Sequence, residues 1–204
     1  EQAVNQTEGQ VMTKGGSPIK AWFSSTHGGY ILASGEIGWS NTDWTKHAND
    51  FDGSVNSFSD LASKAYDRES PWFYCDWGSR SQYNKTAWLK SEELADIVNT
   101  IFLAKVDSLT REHLYQPDNP PSGAENWNQD KVKQELRARG QNPFNSINDG
   151  SVSADFSSGR VSSISFSGDA GNISFSLNEF KDWFNLRAPA NIQIVGPLFN
   201  IEKR

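Results

Sequence analysis

The apolar positions of this chain change period several times along its length. Between residues 91 and 105 they fall at Leu94, Ile97, Val98, Ile101 and Phe102, the i, i+3, i+4, i+7, i+8 spacing of one buried helical stripe. Ser91 stands where an N-cap hydroxyl accepts a free backbone N–H, and Glu92 and Glu93 suit the positive end of the helix dipole. A shorter helix is predicted from about 129 to 139, with Val132 and Leu136 inward and Gly140 closing it in the left-handed conformation. From 151 to 176 the period drops to two. Val152, Ala154 and Phe156 share a face, Ser157-Ser158-Gly159 turns the chain, and Val161, Ile164 and Phe166 follow. The phase slips once between 161 and 164, which predicts a β-bulge. After a turn from Gly168 to Asn172, Ile173 and Phe175 complete a three-stranded meander. Ser176 then caps a helix of about 177–186 with Leu177, Phe180 and Phe184 inward, and Ile192, Ile194 and Phe199 predict a last strand over 191–201.

The N-terminal half is less regular. Val4, Thr7 and Val11 lead into Lys14-Gly15-Gly16-Ser17-Pro18, a turn signal, and residues 19–23 read as an apolar strand, so residues 3–32 predict a hairpin. Residues 33–85 hold no sustained period and are rich in Trp, Asp, Ser, Asn and Gly. An ordered stretch of that length is unusual unless it carries function. A short helix is predicted over 58–66 and a short strand over 86–90. Residues 116–128 (QPDNPPSGAENWN) read as a linker or excursion. The pattern as a whole predicts an α+β fold, mainly antiparallel sheet with about three helices. It divides into a core at 1–115 with a Trp-rich loop, the linker at 116–128, and a helix–meander–helix part at 129–204 packed on the first.

Composition narrows the function classes. The 204 residues carry a net charge of −6, and the Lys and Arg residues are scattered, so no basic footprint for nucleic acid is present. Aromatic residues make up 12% and include eight Trp, large rings that fill a core or offer a stacking surface. The single cysteine, Cys75, excludes an intrachain disulfide and a CxxC metal site. No run of 18 apolar residues spans a membrane. No signal peptide stands at Glu1, so an export signal is expected upstream.

Two stretches bear a family likeness. The first is Ala3-Val4, Thr7, Gly9 and Val11, then Pro18-Ile19-Lys20-Ala21-Trp22-Phe23-Ser24-Ser25-Thr26-His27-Gly28-Gly29-Tyr30. It is followed by Glu36, Trp39, the Glu69-Ser70-Pro71-Trp72 run and Trp77. The second is Ser158-Gly159-Arg160-Val161, Phe166, Gly168, Phe180 and Asn185-Leu186-Arg187-Ala188-Pro189. These resemble the middle portion of the SpoIID/LytB family, stage II sporulation protein D and amidase enhancers. The resemblance implies a bacterial cell-wall protein, extracytoplasmic and tied to the envelope, that engages peptidoglycan glycan strands as a binding or remodelling module. It further implies either part of a lytic transglycosylase or a non-catalytic partner of a cell-wall amidase; a structural envelope role on the same fold is the third option. The family's catalytic glutamate lies in a helical run preceding the part seen here, and no such run stands in these residues. Some members hold zinc through a Cys and a His near the Gly-Gly turn. Here the turn offers His27 and no Cys, so no metal and no cofactor is expected.

The substrate-binding candidates are therefore Ser24, Ser25, His27, Gly28, Gly29, Tyr30, Trp39, Trp44, Trp72 and Trp77. The glycines would let a sugar approach the backbone, and His27 could hydrogen-bond to it or transfer a proton; the plainer alternative is a tight turn with an incidental His. The tryptophans could stack on sugar rings or simply pack; Trp22 reads as core, and Trp88, Trp127 and Trp183 as packing residues. The catalytic candidates are His27 and Glu36. Glu36 would need burial to keep its proton, which Trp39 and Trp44 could supply; the alternative is an ordinary surface glutamate. Cys75 reads as a structural thiol, His47 and His113 fit no ligand spacing, and Asp43, Asp50 and Asp52 lack a calcium-loop pattern.

Overall fold

The computed structural model describes residues 1–22, 27–69, 89–118, 120–123, 125–189, 192–194 and 196–203. The chain divides into two units, Glu1–Cys75 and Asp76–Arg204. The stretch 116–128, expected as a linker, lies inside the second unit. Ser24, Ser25, Trp72, Cys75, Trp77, Trp88 and most of the strand expected at 86–90 fall outside the described residues. The fold is α+β, with helices and antiparallel strands.

In the first unit, Gln2–Gln6 forms a short helix, α1, where strand was expected. The predicted hairpin is present but small: β1 (Thr13–Lys14) pairs with β2 (Ser17–Pro18), and residues 19–22 form no strand. Residues 1–18 are exposed, Val4, Val11 and Met12 at 71%, 69% and 63%, and a two-stranded ribbon without a packed face does not extend itself. The ordered centre of the unit lies further on. β3 (Tyr30–Ile31) pairs antiparallel with β4 (Ala48–Asn49), in the register Tyr30↔Asn49 and Ile31↔Ala48. The Asp50 N–H then donates to the Gly29 carbonyl at 2.9 Å, and the Asp50 carbonyl accepts the Tyr66 N–H at 3.0 Å. Between these segments runs α2 (Phe58–Lys64), the predicted short helix, capped by Ser57 Oγ accepting the Asp60 N–H. Among the described residues of the first unit, Tyr30, Val55, Leu61 and Ala65 are the buried apolar ones.

The second unit is built around α3 (Ser91–Val106), close to its predicted span. Ile97, Val98 and Ile101 are fully buried as expected, while Leu94 and Phe102 are half-buried; Asn99, Thr100 and Leu103 are buried as well, so the helix is covered on more than one stripe. The start differs from expectation. Lys90 is the N-cap, its N–H donating to Glu93 Oε2 at 2.7 Å. Ser91 instead uses its hydroxyl twice on one residue, accepting the Ile147 N–H at 2.9 Å and donating to the Ile147 carbonyl at 2.7 Å. It ties the helix to the sheet.

α4 (Gln129–Ala138) buries Val132 and Leu136 with Leu103 and Leu114, and Gly140, at φ 71°, closes it. The meander is β5 (Ile147–Asp155), β6 (Arg160–Gly168) and β7 (Gly171–Ser176), in that order. Ser153 pairs with Ser163 and Ala154 with Val161, so Ser162 is the extra residue of a bulge at the predicted slip. On one face Val152, Ile164 and Phe175 align, with Phe166 beside Ile173. The other carries serine rungs, Ser151–Ser165–Ser174 and Ser153–Ser163–Ser176, the polar side of a half-covered antiparallel sheet. α5 (Leu177–Arg187) covers the apolar face with Phe180 and Phe184, and Ser176 Oγ accepts the Glu179 N–H as predicted. The last expected strand is not formed in the described part of 191–201; Ile192, Ile194 and Phe199 instead pack, half-buried, against the core. Their neighbourhood is held by Asn185, whose side chain bonds the Ile194 N–H and carbonyl. Among the described residues no helix is long and apolar enough to cross a membrane.

Candidate functional site

The sharpest sequence signal, His27-Gly28-Gly29-Tyr30, is a tight turn. The Tyr30 N–H donates to the His27 carbonyl at 3.2 Å, and Gly28 and Gly29 have φ of 62° and 83°, the left-handed pair of a type I′ turn. The two glycines differ in surroundings. A Cβ on Gly28 would meet open space, whereas one on Gly29 would lie 2.5 Å from Leu61 Cδ1 and 3.4 Å from Ala65. Gly29 is thus glycine so that α2 can approach it, not to admit a sugar. Tyr30 is 3% exposed and meets Phe51 edge-on at 5.3 Å, which makes it a core residue rather than a contact for substrate.

His27 stays exposed and joins two aspartates. Its Nδ1 lies 3.4 Å from Asp50 Oδ2 and 3.9 Å from Asp67 Oδ2. Asp67 Oδ2 also accepts the backbone N–H groups of His27 at 2.6 Å and Gly28 at 3.2 Å, so this carboxylate shapes the turn. Asp50 reaches the same place because its backbone is bonded to Gly29 on one side and Tyr66 on the other. Three segments far apart in the chain therefore converge on one imidazole.

A second cluster lies in the loop after β3. A 3-10 turn at Ser34–Ile37 ends in Gly38, and the Trp39 N–H donates to the Ser34 carbonyl at 3.0 Å. Ser34 is 2% exposed, and its hydroxyl forms a ring of contacts of 2.8–3.1 Å with those of Thr42 and Thr45. The loop is thereby closed on itself, and it presents Trp39 and Trp44, 49% and 38% exposed. Trp39 meets half-buried Trp22 with ring centroids 5.2 Å apart at 46°, and the Lys20 ammonium stands 6.0 Å from the Trp22 ring. Tilted aromatic pairs at this distance add about 0.5–1.5 kcal/mol beyond their buried area.

Glu36 does not stand as a free acid. Its Oε2 accepts the Ala33 N–H at 2.7 Å, and its two carboxylate oxygens lie 3.2 and 3.3 Å from His47 Nδ1. A proton donor needs an oxygen free to face the leaving group; both of these are occupied in holding the loop. No family model, curated protein or solved structure matches this chain.

The candidates thus divide between two places in the first unit: His27 and Gly28 at the turn, Trp39 and Trp44 with Glu36 on the loop. Gly29 and Tyr30 are packing residues. Sequence reasoning missed four participants. Trp22, read as core within a strand over 19–23, is instead half of the aromatic pair, and residues 19–22 form no strand. Asp50 and Asp67 carry no local motif that marks them as partners of His27. His47, which fitted no ligand spacing, faces Glu36. Elsewhere the plainer readings hold: Asp43 pairs with Lys14 at 3.2 Å, and Trp127 and Trp183 pack against the Leu103–Leu114 cluster. Among the described residues the donors beside His27 are carboxylates, which is not the Cys and His arrangement that the resemblance brings.

Proposed function

We propose that this chain is a glycan-engaging module of the SpoIID/LytB type, acting on peptidoglycan strands in the cell envelope outside the cytoplasm. The observation that carries the reading is the Trp22–Trp39 pair with Trp44 exposed on the same closed loop. Sugar rings present C–H faces that suit an aromatic surface, and the ring of hydroxyls beneath the loop keeps that surface in place without cost on binding. The first unit has nine acidic and five basic residues, which favours an uncharged glycan over a polyanion. Binding is supported over cleavage by the position of Glu36, which is occupied with Ala33 and His47. In this reading the chain supplies the hold on the glycan, and a cell-wall amidase or a further segment supplies the chemistry.

The test is co-sedimentation with purified peptidoglycan. The intact chain should be retained, and Trp39→Ala with Trp44→Ala should lower retention at least tenfold while circular dichroism is unchanged. Retention equal to that of the unaltered chain would remove these rings from any sugar site. Release of anhydro-sugar ends from stripped glycan strands by the chain alone would overturn the binding-only reading.

A further inference from the structure

We propose that the hairpin and Trp loop of the first unit form a docking surface for an anionic lipid bilayer. The inference does not rest on sugar binding. It starts from an imbalance in what the unit buries. Among the described residues, eight of the ten exposed large apolar side chains belong to the first unit, and four of its apolar residues are buried. Apolar surface left open on this scale marks a place that meets a partner or a membrane. Six of the eight, Val11, Met12, Ile31, Ile37, Trp39 and Trp44, stand between residues 11 and 44. Two contacts join the hairpin to the loop. Lys14 of β1 pairs with Asp43, the neighbour of Trp44, at 3.2 Å. Just past the hairpin, Trp22 meets Trp39 at 5.2 Å. The hairpin itself is closed by the Ile19 N–H donating to the Met12 carbonyl at 3.0 Å. The hydroxyls of Ser34, Thr42 and Thr45 hold the loop shut, so the surface is set before anything docks.

Charge identifies the occupant. The first unit is acidic as a whole, but its acids lie elsewhere. Residues 11–47 hold three Lys against Glu36 and Asp43, and the other seven acids of the unit fall outside that stretch. Glu36 faces His47 and Asp43 faces Lys14. Among the described residues no carboxylate pairs with Lys20 or Lys46, and Lys20 stands 6.0 Å from the Trp22 ring. Free ammonium groups beside exposed rings and aliphatic side chains suit a surface that lies on anionic headgroups. The apolar groups enter the acyl boundary, Trp settles at headgroup level and each Lys reaches a phosphate. A glycan stacks on the rings but gains little from Met12 or Ile37, and a second copy would set two cationic surfaces together. Bilayer and glycan share Trp39 and Trp44 and so exclude each other at any one moment. The aliphatic side chains serve the bilayer alone.

The whole chain would be sedimented with vesicles of phosphatidylcholine alone and with vesicles of phosphatidylcholine mixed with phosphatidylglycerol. Binding to the mixed vesicles should be at least about tenfold stronger at low salt and should fall as salt rises. Lys20→Gln and Lys46→Gln should each lower it about fivefold, the effect of one ammonium near an anionic surface. Met12→Ser combined with Ile37→Ser should lower it about tenfold or more, with retention on peptidoglycan unchanged. Both side chains are exposed, so the double variant keeps its fold, which circular dichroism checks. No binding to the mixed vesicles, equal binding to both kinds of vesicle, or binding unchanged in the double variant would each overturn the proposal. A chain that ignores the vesicles and runs as a dimer in light scattering would give the surface to a second copy instead. The sugar reading stands or falls on peptidoglycan retention, which the vesicle measurements do not use.

Discussion

Arg187 and Asp96, 91 positions apart, form a two-point ion pair inside the second unit. Arg187 Nε donates to Asp96 Oδ2 at 2.8 Å and Nη2 to Oδ1 at 3.1 Å. The remaining terminal nitrogen, Nη1, donates to the carbonyls of Tyr115 at 2.7 Å and Trp127 at 2.9 Å, and the side chain is fully buried. One guanidinium thus joins α3, α5 and both ends of the 116–128 excursion, which explains why that stretch is part of a unit rather than a linker.

Replacing Arg187 by Met leaves Asp96 without its buried partner and frees two carbonyls. The expected loss is about 3–5 kcal/mol in urea unfolding. Arg187→Lys should recover little of it, because an ammonium cannot donate in the forked geometry. Recovery to near the parent value would mean that charge alone, not the fork, holds the excursion.

Asn99 makes a second such tie. Its Nδ2 donates to the Phe144 carbonyl at 2.8 Å, and its Oδ1 accepts the Phe144 N–H at 2.8 Å, all buried. Asn99→Leu should cost at least about 2 kcal/mol, since two buried backbone groups lose their partner. Faster amide exchange at Phe144 in the variant is the local readout, and an unchanged rate would show that another group takes over.

The two glycines of the His27 turn should separate experimentally. Gly28→Ala meets only the left-handed backbone penalty of about 1–2 kcal/mol. Gly29→Ala adds a Cβ 2.5 Å from Leu61, so a further loss of about 1–3 kcal/mol is expected, partly relieved by Leu61→Ala in a double-mutant cycle. Equal melting temperatures for the two single variants would contradict the packing role of Gly29.

Asp155, the last residue of β5 before the turn to β6, is held at a pKa of about 2, chiefly by hydrogen bonds from the Ser157 and Ser158 hydroxyls. Its folded value lies below the ordinary carboxylate value of about 3.9, so its contribution is complete above about pH 4 and is lost as pH falls through 2. Carbon NMR of the Asp155 carboxyl should show that low titration, moving upward in Ser157→Ala and Ser158→Ala. A midpoint near 4 in the parent chain would refute the assignment.

The elements most legible in the sequence are those whose cause is local. α3, α4, α5 and the meander follow from periods of 3.6 and 2, and the Ser162 bulge from one slip of phase, because side chains within a few positions already decide which face is buried. The first unit was legible only in part. Its turn at His27 and its short helix at Phe58–Lys64 have local signatures, but before Lys14 the chain starts as a helix at Gln2–Gln6 and extends only at Thr13–Lys14, where the exposed residues give no packed face to impose more.

What the sequence determined by itself is the α+β class, the order of the elements in the second unit, and the turn and Trp-rich loop as places to look. Tertiary structure alone decided which residues work together. Trp22 met Trp39, Asp50 and Asp67 met His27, Glu36 met His47, and Tyr30 went to the core. These are meetings of segments separated along the chain, set by backbone pairing such as that of Asp50 with Gly29 and Tyr66. No periodicity encodes such a meeting, because its partners share no local geometry until the chain has closed the loops between them.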